Sequence, residues 1–172
     1  AAVIDLLNQH LAPMQVRFHL GDRHRHLMST LEPLHVSTTE PYELVGRRLR
    51  RGWPTGPDAQ KLIDLMELAS AALRDHEINA IRRELGESPI TGIWLWGEGP
   101  LSDLPAFADK FDISGAMVAD DPVAVGAGRH IAWDTVDIPA AGEYTTESLT
   151  EVGLRAAEAL DSHDLVCVHT AW

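Results

Sequence analysis

The stretch PITGIWLWGEGP at residues 89–100, followed by GAMVA at 115–119, decides the fold of this 172-residue chain. GIWLW and GAMVA are short apolar runs, and two more come after them, TVDI at 135–138 and LVCVH at 165–169, with helical patterns between them. The clearest helix, 148–161, opens with Ser148 and Glu151 in a capping-box pattern. Strands that alternate with helices at this spacing are typical of a parallel sheet. The pattern therefore predicts a parallel α/β layer over residues 89–172.

The residues before this stretch have a different rhythm. Residues 1–12 carry an apolar helical face, MQVRFHL at 14–20 alternates as a half-buried strand does, and RHRHLMS at 23–29 predicts its hairpin partner. Residues 31–56 predict a long loop, and one helix is expected from Pro57 to Gly86. The first half, residues 1–88, is thus predicted to be an α+β region that precedes the parallel-sheet layer.

Composition excludes several classes of function. The net charge of −12 argues against a nucleic-acid partner, and residues 90–172 carry 3 Lys or Arg against 14 Asp or Glu. No apolar stretch approaches the roughly 20 residues of a membrane span, and no secretory leader is evident. The single cysteine, Cys167, excludes an internal disulfide. We therefore expect a cytoplasmic protein with neither nucleic acid nor membrane as partner.

Two short motifs could carry chemistry. Strand alternation in RHRHL places Arg23 and Arg25 on one face, where they could hold a phosphate or carboxylate, and His24 and His26 on the other. Two histidines so spaced could bind a metal, but a third ligand is not evident, so no metal site is predicted. The GEGP turn at 97–100 has no third glycine and favours a plain tight turn. No activated nucleophile is recognisable, so no catalytic residue is predicted.

Four segments, read in order, resemble the archaeal-type 2,3-bisphosphoglycerate-independent phosphoglycerate mutases, which are members of the alkaline phosphatase superfamily. HRHL (24–27) resembles an Arg-His-Leu of that family, and DHEINAIRR (75–83) resembles its Asp-His-Pro-(Val/Ile)-Asn-x-x-Arg segment. PITGIWLWGEGP with LPAFADKFDISGAMVA (104–119) resembles its Ile-Trp-Leu-Trp-Gly-Gln-Gly block and the residues that succeed that block. SHDLVCVH (162–169) resembles the strand that leads to its C-terminal metal site.

The resemblance implies a fold, a reaction and a substrate site. The second half would be part of an alkaline-phosphatase-like domain and the first half an inserted region. In the family, a serine and two divalent metals (Mn, Mg, Co or Zn) interconvert 2- and 3-phosphoglycerate. By the match, Arg25 and Arg82 would bind a small phosphorylated or carboxylated ligand, with His26 and Asn79 as neighbours. The family's nucleophile and metal ligands match nothing in residues 1–172, so this chain alone is expected to be inactive and to hold no cofactor.

Several positions depart from the family pattern. Tyr42 and Glu43 stand where the family has His and Asp, and Val125 stands where it has a phosphate-binding Lys, with Pro122 in place of an Asp. AAGEYTTE at 140–147 replaces a Gly-Ala-Thr-Gly segment. Two alternatives therefore stay open: a non-catalytic relative that binds a phosphorylated ligand or a protein partner, and a phosphoryl-transfer enzyme with a different substrate. Assembly into a homo-oligomer is also left open.

Overall fold

The computed structural model describes residues 1–21, 24–138 and 145–170. Contacts within the chain form two compact units, Ala1–Leu101 and Ser102–Trp172. The Trp-rich block at 89–100 lies by its contacts in the first unit. The domain boundary expected between residues 88 and 89 stays a prediction.

Helices and strands alternate along the described residues. In the first unit they are α1 (Ala2–Leu11), β1 (Val16–His19), β2 (Leu27–Thr30), α2 (Ala59–Arg74) and α3 (Glu77–Glu84). In the second unit they are α4 (Phe107–Phe111), β3 (Gly115–Ala119), α5 (Pro122–His130), β4 (Asp134–Val136), α6 (Thr146–Ala159) and β5 (Leu165–His169). None of the helices described is long and apolar enough to cross a membrane.

The core of the first unit joins α1, the β1–β2 hairpin and α2. The hairpin is antiparallel and pairs Val16 with Thr30 and His19 with Leu27. Its inward side chains, Val16 and Phe18, are buried against the apolar faces of the two helices, as the sequence pattern predicts. Leu20, expected on the same face, is 60% exposed because the strand ends one residue before it.

The long helix predicted from Pro57 to Gly86 is wrong in one respect, because it is two helices. The apolar stripe of α2 is buried as expected, but α2 ends at Arg74 and α3 starts at Glu77. The backbone of His76 is extended, and its ring Nδ1 accepts a hydrogen bond from the Ile78 N–H at 3.2 Å. A side chain that caps the next helix competes with continuation of the first. The break orients α3 so that its Asn79 side chain can hydrogen bond to the backbone of Ile90, in the segment after the helix.

The strand predicted at GIWLW is also wrong, since no described strand includes residues 89–105. Ile93 and Leu95 pack against the core of the first unit. The indole Nε1–H of Trp94 donates to the Thr39 carbonyl oxygen at 2.8 Å. Packing and side-chain hydrogen bonds within the first unit therefore replace the ladder that the alternating pattern suggested.

The second unit contains the predicted parallel sheet, with strand order β4-β3-β5. Both outer strands pair in parallel with β3, whose five residues are all buried. This burial explains the continuous apolar run GAMVA, because a central parallel strand is covered on both faces. The α/β class expected for this part of the chain is confirmed. Helix α6 is capped by Thr145, with Ser148 as its reciprocal partner, rather than by the predicted Ser148 and Glu151 pair.

Residues 31–56 hold more structure than the predicted loop. They contain 3-10 turns at Pro41–Leu44 and Leu49–Gly52. An isolated antiparallel bridge joins Ser37 to Thr55. These contacts bring the segment back on itself before α2 begins.

Candidate functional site

Arg25 lies in the connection between β1 and β2, before the strand that was expected to include it. One terminal nitrogen of its guanidinium donates a hydrogen bond to the Tyr42 hydroxyl at 2.9 Å. Tyr42 in turn lies edge-on to Trp96, with ring centroids 6.3 Å apart and planes at 81°. The structure therefore brings together Arg25, the predicted ligand-binding arginine, Tyr42, which departs from the family pattern, and Trp96 of the Trp-rich block.

His26 closes the same connection. Its Nδ1 accepts a hydrogen bond from the Gly21 N–H at 3.1 Å, and the ring is exposed. A Cβ on Gly21 would lie 2.3 Å from the Arg25 carbonyl oxygen, so this close approach requires glycine. Since strand β2 begins only at Leu27, the alternation predicted for residues 23–26 does not hold for Arg25 and His26. Arg23 lies outside the described residues.

The GEGP turn is held by Thr38. Gly97 adopts a φ of 69°, and its N–H donates to the Thr38 hydroxyl at 3.2 Å. The Thr38 N–H and hydroxyl donate to the two carboxylate oxygens of Glu98. Burial alone would raise the pKa of Glu98, but the hydrogen bonds from Thr38 and from its own backbone outweigh this and lower it. Glu98 therefore places a stable negative charge where the family block has a neutral Gln.

Asn79 on α3 is 1% exposed and serves to join two parts of the first unit. Its amide Nδ2 donates to the carbonyl oxygens of Leu73 and Ile90, at 2.7 and 2.8 Å. Its Oδ1 accepts from the Ile90 N–H at 2.7 Å. All these contacts go to the backbone, so the described geometry gives Asn79 a structural task, and its predicted role at a ligand stays a prediction.

Arg82, one turn further along α3, is also held by its neighbours. Its Nε donates to the Ser88 carbonyl oxygen at 2.7 Å, and Nη1 lies 2.9 Å from the Glu87 carboxylate. The side chain is 34% exposed. A phosphorylated ligand at Arg82 would have to share the guanidinium with Glu87.

The four predicted ligand residues therefore form two pairs with separate partners. Arg25 and His26 lie in the hairpin connection, whereas Asn79 and Arg82 lie on α3. Sequence reasoning does not reveal Tyr42 as the partner of Arg25, although it identifies Tyr42 as a departure from the family pattern. It also misses Arg74 and Arg83, which line a cavity between α2 and α3. The cavity depends on the break between α2 and α3 at Asp75 and His76, which the apolar periodicity of the sequence does not mark.

The second unit offers contacts of a structural kind at the start of its strands. Asp164 accepts hydrogen bonds from the Ser114 N–H and hydroxyl, both at 2.8 Å. His163 Nε2 lies 3.0 Å from an Asp134 carboxylate oxygen, and its Nδ1 lies 2.9 Å from the Ala159 carbonyl oxygen. These groups lie at the amino edge of the sheet, whereas ligands of open parallel sheets bind at the carboxyl edge.

Two of the positions that depart from the family pattern, Pro122 and Val125, lie on α5. Asp121 caps the helix by accepting from the Val123 N–H at 2.7 Å, and Val125 is half-buried within it. The AAGEYTTE segment falls mainly on residues 139–144, which lie outside the described part of the chain. Within the residues that are described, no three His, Cys, Asp or Glu side chains come together closely enough to hold a metal ion.

Comparisons with known proteins point to one family. A family model described as 2,3-bisphosphoglycerate-independent phosphoglycerate mutase matches residues 1–79. A protein of that name from Methanosarcina acetivorans is 31% identical over 97% of this chain and 43% of its own length. Another, from Methanothrix thermoacetophila, is 38% identical over 76% of this chain and 33% of its own length. The chain thus spans less than half the length of these curated relatives.

A solved structure shows the same fold. The cofactor-independent phosphoglycerate mutase from Thermoplasma acidophilum matches 99% of this chain and 48% of its own, with a TM-score of 0.56 and 22% sequence identity. This match extends across both units and confirms the fold class expected from the sequence. In sequence the chain is therefore similar to 2,3-bisphosphoglycerate-independent phosphoglycerate mutases over most of its length, and it shares the fold of one of them.

Proposed function

We propose that this chain forms the phosphoglycerate-binding part of a phosphoglycerate mutase and, on its own, catalyses no mutase reaction. The observation that carries the proposal is the position of Arg25. Its guanidinium is oriented by Tyr42, which rests on Trp96 of the block that carries the family resemblance. An arginine held in one orientation binds a phosphate or carboxylate with less loss of side-chain entropy than a mobile one.

The proposed absence of activity in the isolated chain rests on two observations. The residues described at 1–21, 24–138 and 145–170 offer no ligand cluster for the two divalent metals of the family. Val125 also supplies no charge where the family has a phosphate-binding Lys.

A titration with 3-phosphoglycerate, with and without Mn²⁺, tests both parts of the proposal. We expect binding that is independent of the metal, no turnover, and a loss of affinity of about tenfold in Arg25→Ala, as removal of a charge-assisted hydrogen bond predicts. Unchanged affinity in Arg25→Ala would remove the role of Arg25. Turnover by the purified 172-residue chain with Mn²⁺ would refute the absence of activity.

One observation favours the second candidate, a non-catalytic relative, and among its ligands a protein partner over a phosphorylated molecule. The carboxylate of Glu98, which hydrogen bonds from Thr38 keep ionised, lies in the turn that follows Trp96, the residue against which Tyr42 packs. A negative charge there opposes a transferring phosphoryl group. The two candidates separate in a longer protein that includes the missing family segments: a mutase turns over 3-phosphoglycerate, whereas a binding protein does not.

A further inference from the structure

A cavity of about 260 Å³ lies between the end of α2 and α3, apart from the contacts that Arg25 and Arg82 make. Its lining residues are Ser70, Arg74, Asn79, Arg83, Ile90 and Thr91. Two of the six carry guanidinium groups, and two carry hydroxyl groups, of which that of Ser70 donates to the Met66 carbonyl oxygen at 2.9 Å. The two guanidinium groups and the Thr91 hydroxyl are donors suited to the oxygens of a phosphate.

The two arginines differ from their neighbour Arg82 in having no hydrogen bond or ion pair from their side chains to any residue that the structure describes. An arginine in the last turn of a helix is favoured by the helix dipole, which accounts for Arg74 on α2 and Arg83 on α3 taken singly. It does not account for both lining one cavity. An anion bound between two guanidinium groups is attracted to both of them.

The walls of the cavity are fixed by backbone contacts. Asn79 ties the end of α2, at Leu73, to Ile90 on the opposite wall. A Cβ on Gly92 would lie 2.6 Å from the Ser70 hydroxyl oxygen, so the chain approaches α2 closely beside the cavity. The backbone walls of the site are therefore already formed, and the ordering that a ligand requires is confined to the two arginine side chains.

A larger apolar cavity of about 690 Å³ adjoins the first, and the two share Ser70, Arg74 and Thr91 as lining residues. Its walls include the side chains of Leu44, Trp53, Ile63, Met66 and Trp94. The wall also includes the carboxylate of Glu67, which repels a second anionic group there. The smaller cavity is thus cationic, and the larger cavity beside it is mainly apolar.

We propose that these cavities form a binding site for a phosphomonoester with an apolar substituent. The phosphate lies between Arg74 and Arg83, and the apolar substituent lies against Trp53, Met66 and Trp94. This site is independent of the proposed phosphoglycerate site, because phosphoglycerate carries a second anionic group and no apolar part.

Calorimetric titration of the 172-residue chain with phenyl phosphate and with inorganic phosphate, at equal ionic strength, tests the site. We expect phenyl phosphate to bind about tenfold more tightly than inorganic phosphate, because its ring removes apolar surface from water. Arg74→Gln and Arg83→Gln should each weaken binding of phenyl phosphate about tenfold or more. Arg74→Lys should weaken it less than Arg74→Gln, because the charge is kept and the planar fork is lost.

Arg129→Gln is the matched control, because it makes the same change in charge at an exposed arginine of the second unit. We expect it to leave the affinity for phenyl phosphate within about twofold. Melting curves establish that each variant is folded. The proposal is overturned if both Arg74→Gln and Arg83→Gln bind as the parent does, if phenyl phosphate binds no more tightly than inorganic phosphate, or if neither ligand binds at millimolar concentration.

Discussion

Replacing Asn79 by leucine is expected to destabilise the first unit by about 2–4 kcal/mol. The substitution keeps the number and branching of the side-chain heavy atoms and removes the three hydrogen bonds that join α3 to Leu73 and Ile90. The Leu73 carbonyl oxygen keeps a second partner, the His76 N–H at 3.2 Å. The N–H and carbonyl groups of Ile90 both lose the partner that the side chain gave them.

The magnitude follows from these two backbone groups. A buried backbone group left without a partner costs about 1–3 kcal/mol. Ile90 is only half-buried, so water reaches part of its surface and the cost per group falls toward the lower half of that range. For two groups together this gives the expected 2–4 kcal/mol, with the bond to Leu73 adding less because that carbonyl stays hydrogen-bonded.

Urea denaturation followed by tryptophan fluorescence measures the effect. With a slope of about 2 kcal/mol per molar urea, the midpoint should fall by about 1–2 M. Gln60→Leu is the control, because it makes the same chemical change at an exposed amide whose Nε2 donates to Asp64 at 2.8 Å. That variant should lie within about 0.5 kcal/mol of the parent. If Asn79→Leu shifts the midpoint no more than Gln60→Leu does, the three hydrogen bonds contribute no net stability and the reasoning is refuted.

Two further predictions concern the second unit. The hydrogen bond to Asp134 raises the pKa of His163 above its usual 6.5, so its stabilising effect is complete below that value and is lost as the pH rises through the raised pKa. Between pH 5.5 and 8.5 the melting temperature should therefore fall more steeply with rising pH for the parent than for His163→Gln. An equal pH dependence of the two melting temperatures would contradict the prediction. Gly128→Ala should destabilise by about 1–3 kcal/mol, because its Cβ would lie 2.9 Å from the Cβ of Met117. Gly126→Ala, on the same helix with open space around it, should instead stabilise by about 0.5–1 kcal/mol, and equal effects of the two substitutions in chemical denaturation would argue against the close contact.

Much of the fold could be predicted because its elements follow from local patterns. The alternation in MQVRFHL, the apolar stripe of α2 and the fully apolar run of β3 each lead to the observed element. GIWLW shows the same alternation as a strand and does not form one in the described structure. Whether such a run pairs depends on which backbone lies beside it, and here the Thr39 carbonyl oxygen accepts from Trp94 while Thr38 holds the turn that follows the run.

The candidate site was less predictable for the same reason. Arg25 could be selected from the sequence, but its partner Tyr42 lies 17 residues away and is reached only through the fold. The pair Arg74 and Arg83 depends on a helix break that apolar periodicity does not mark. Spacing along one element can be worked out from the sequence, whereas contacts between elements require the tertiary structure.

The contacts of the Trp-rich block have a consequence for how the first unit folds and opens. They join residues 55 to 60 positions apart, such as Thr39 with Trp94 and Thr38 with Glu98. Loops of this length close late, after the local contacts of the intervening helix have formed. The block should therefore be the last part of the unit to dock and the first to detach. Trp94 and Trp96 would then act as built-in fluorophores that report this partial opening before the hairpin and α2 separate.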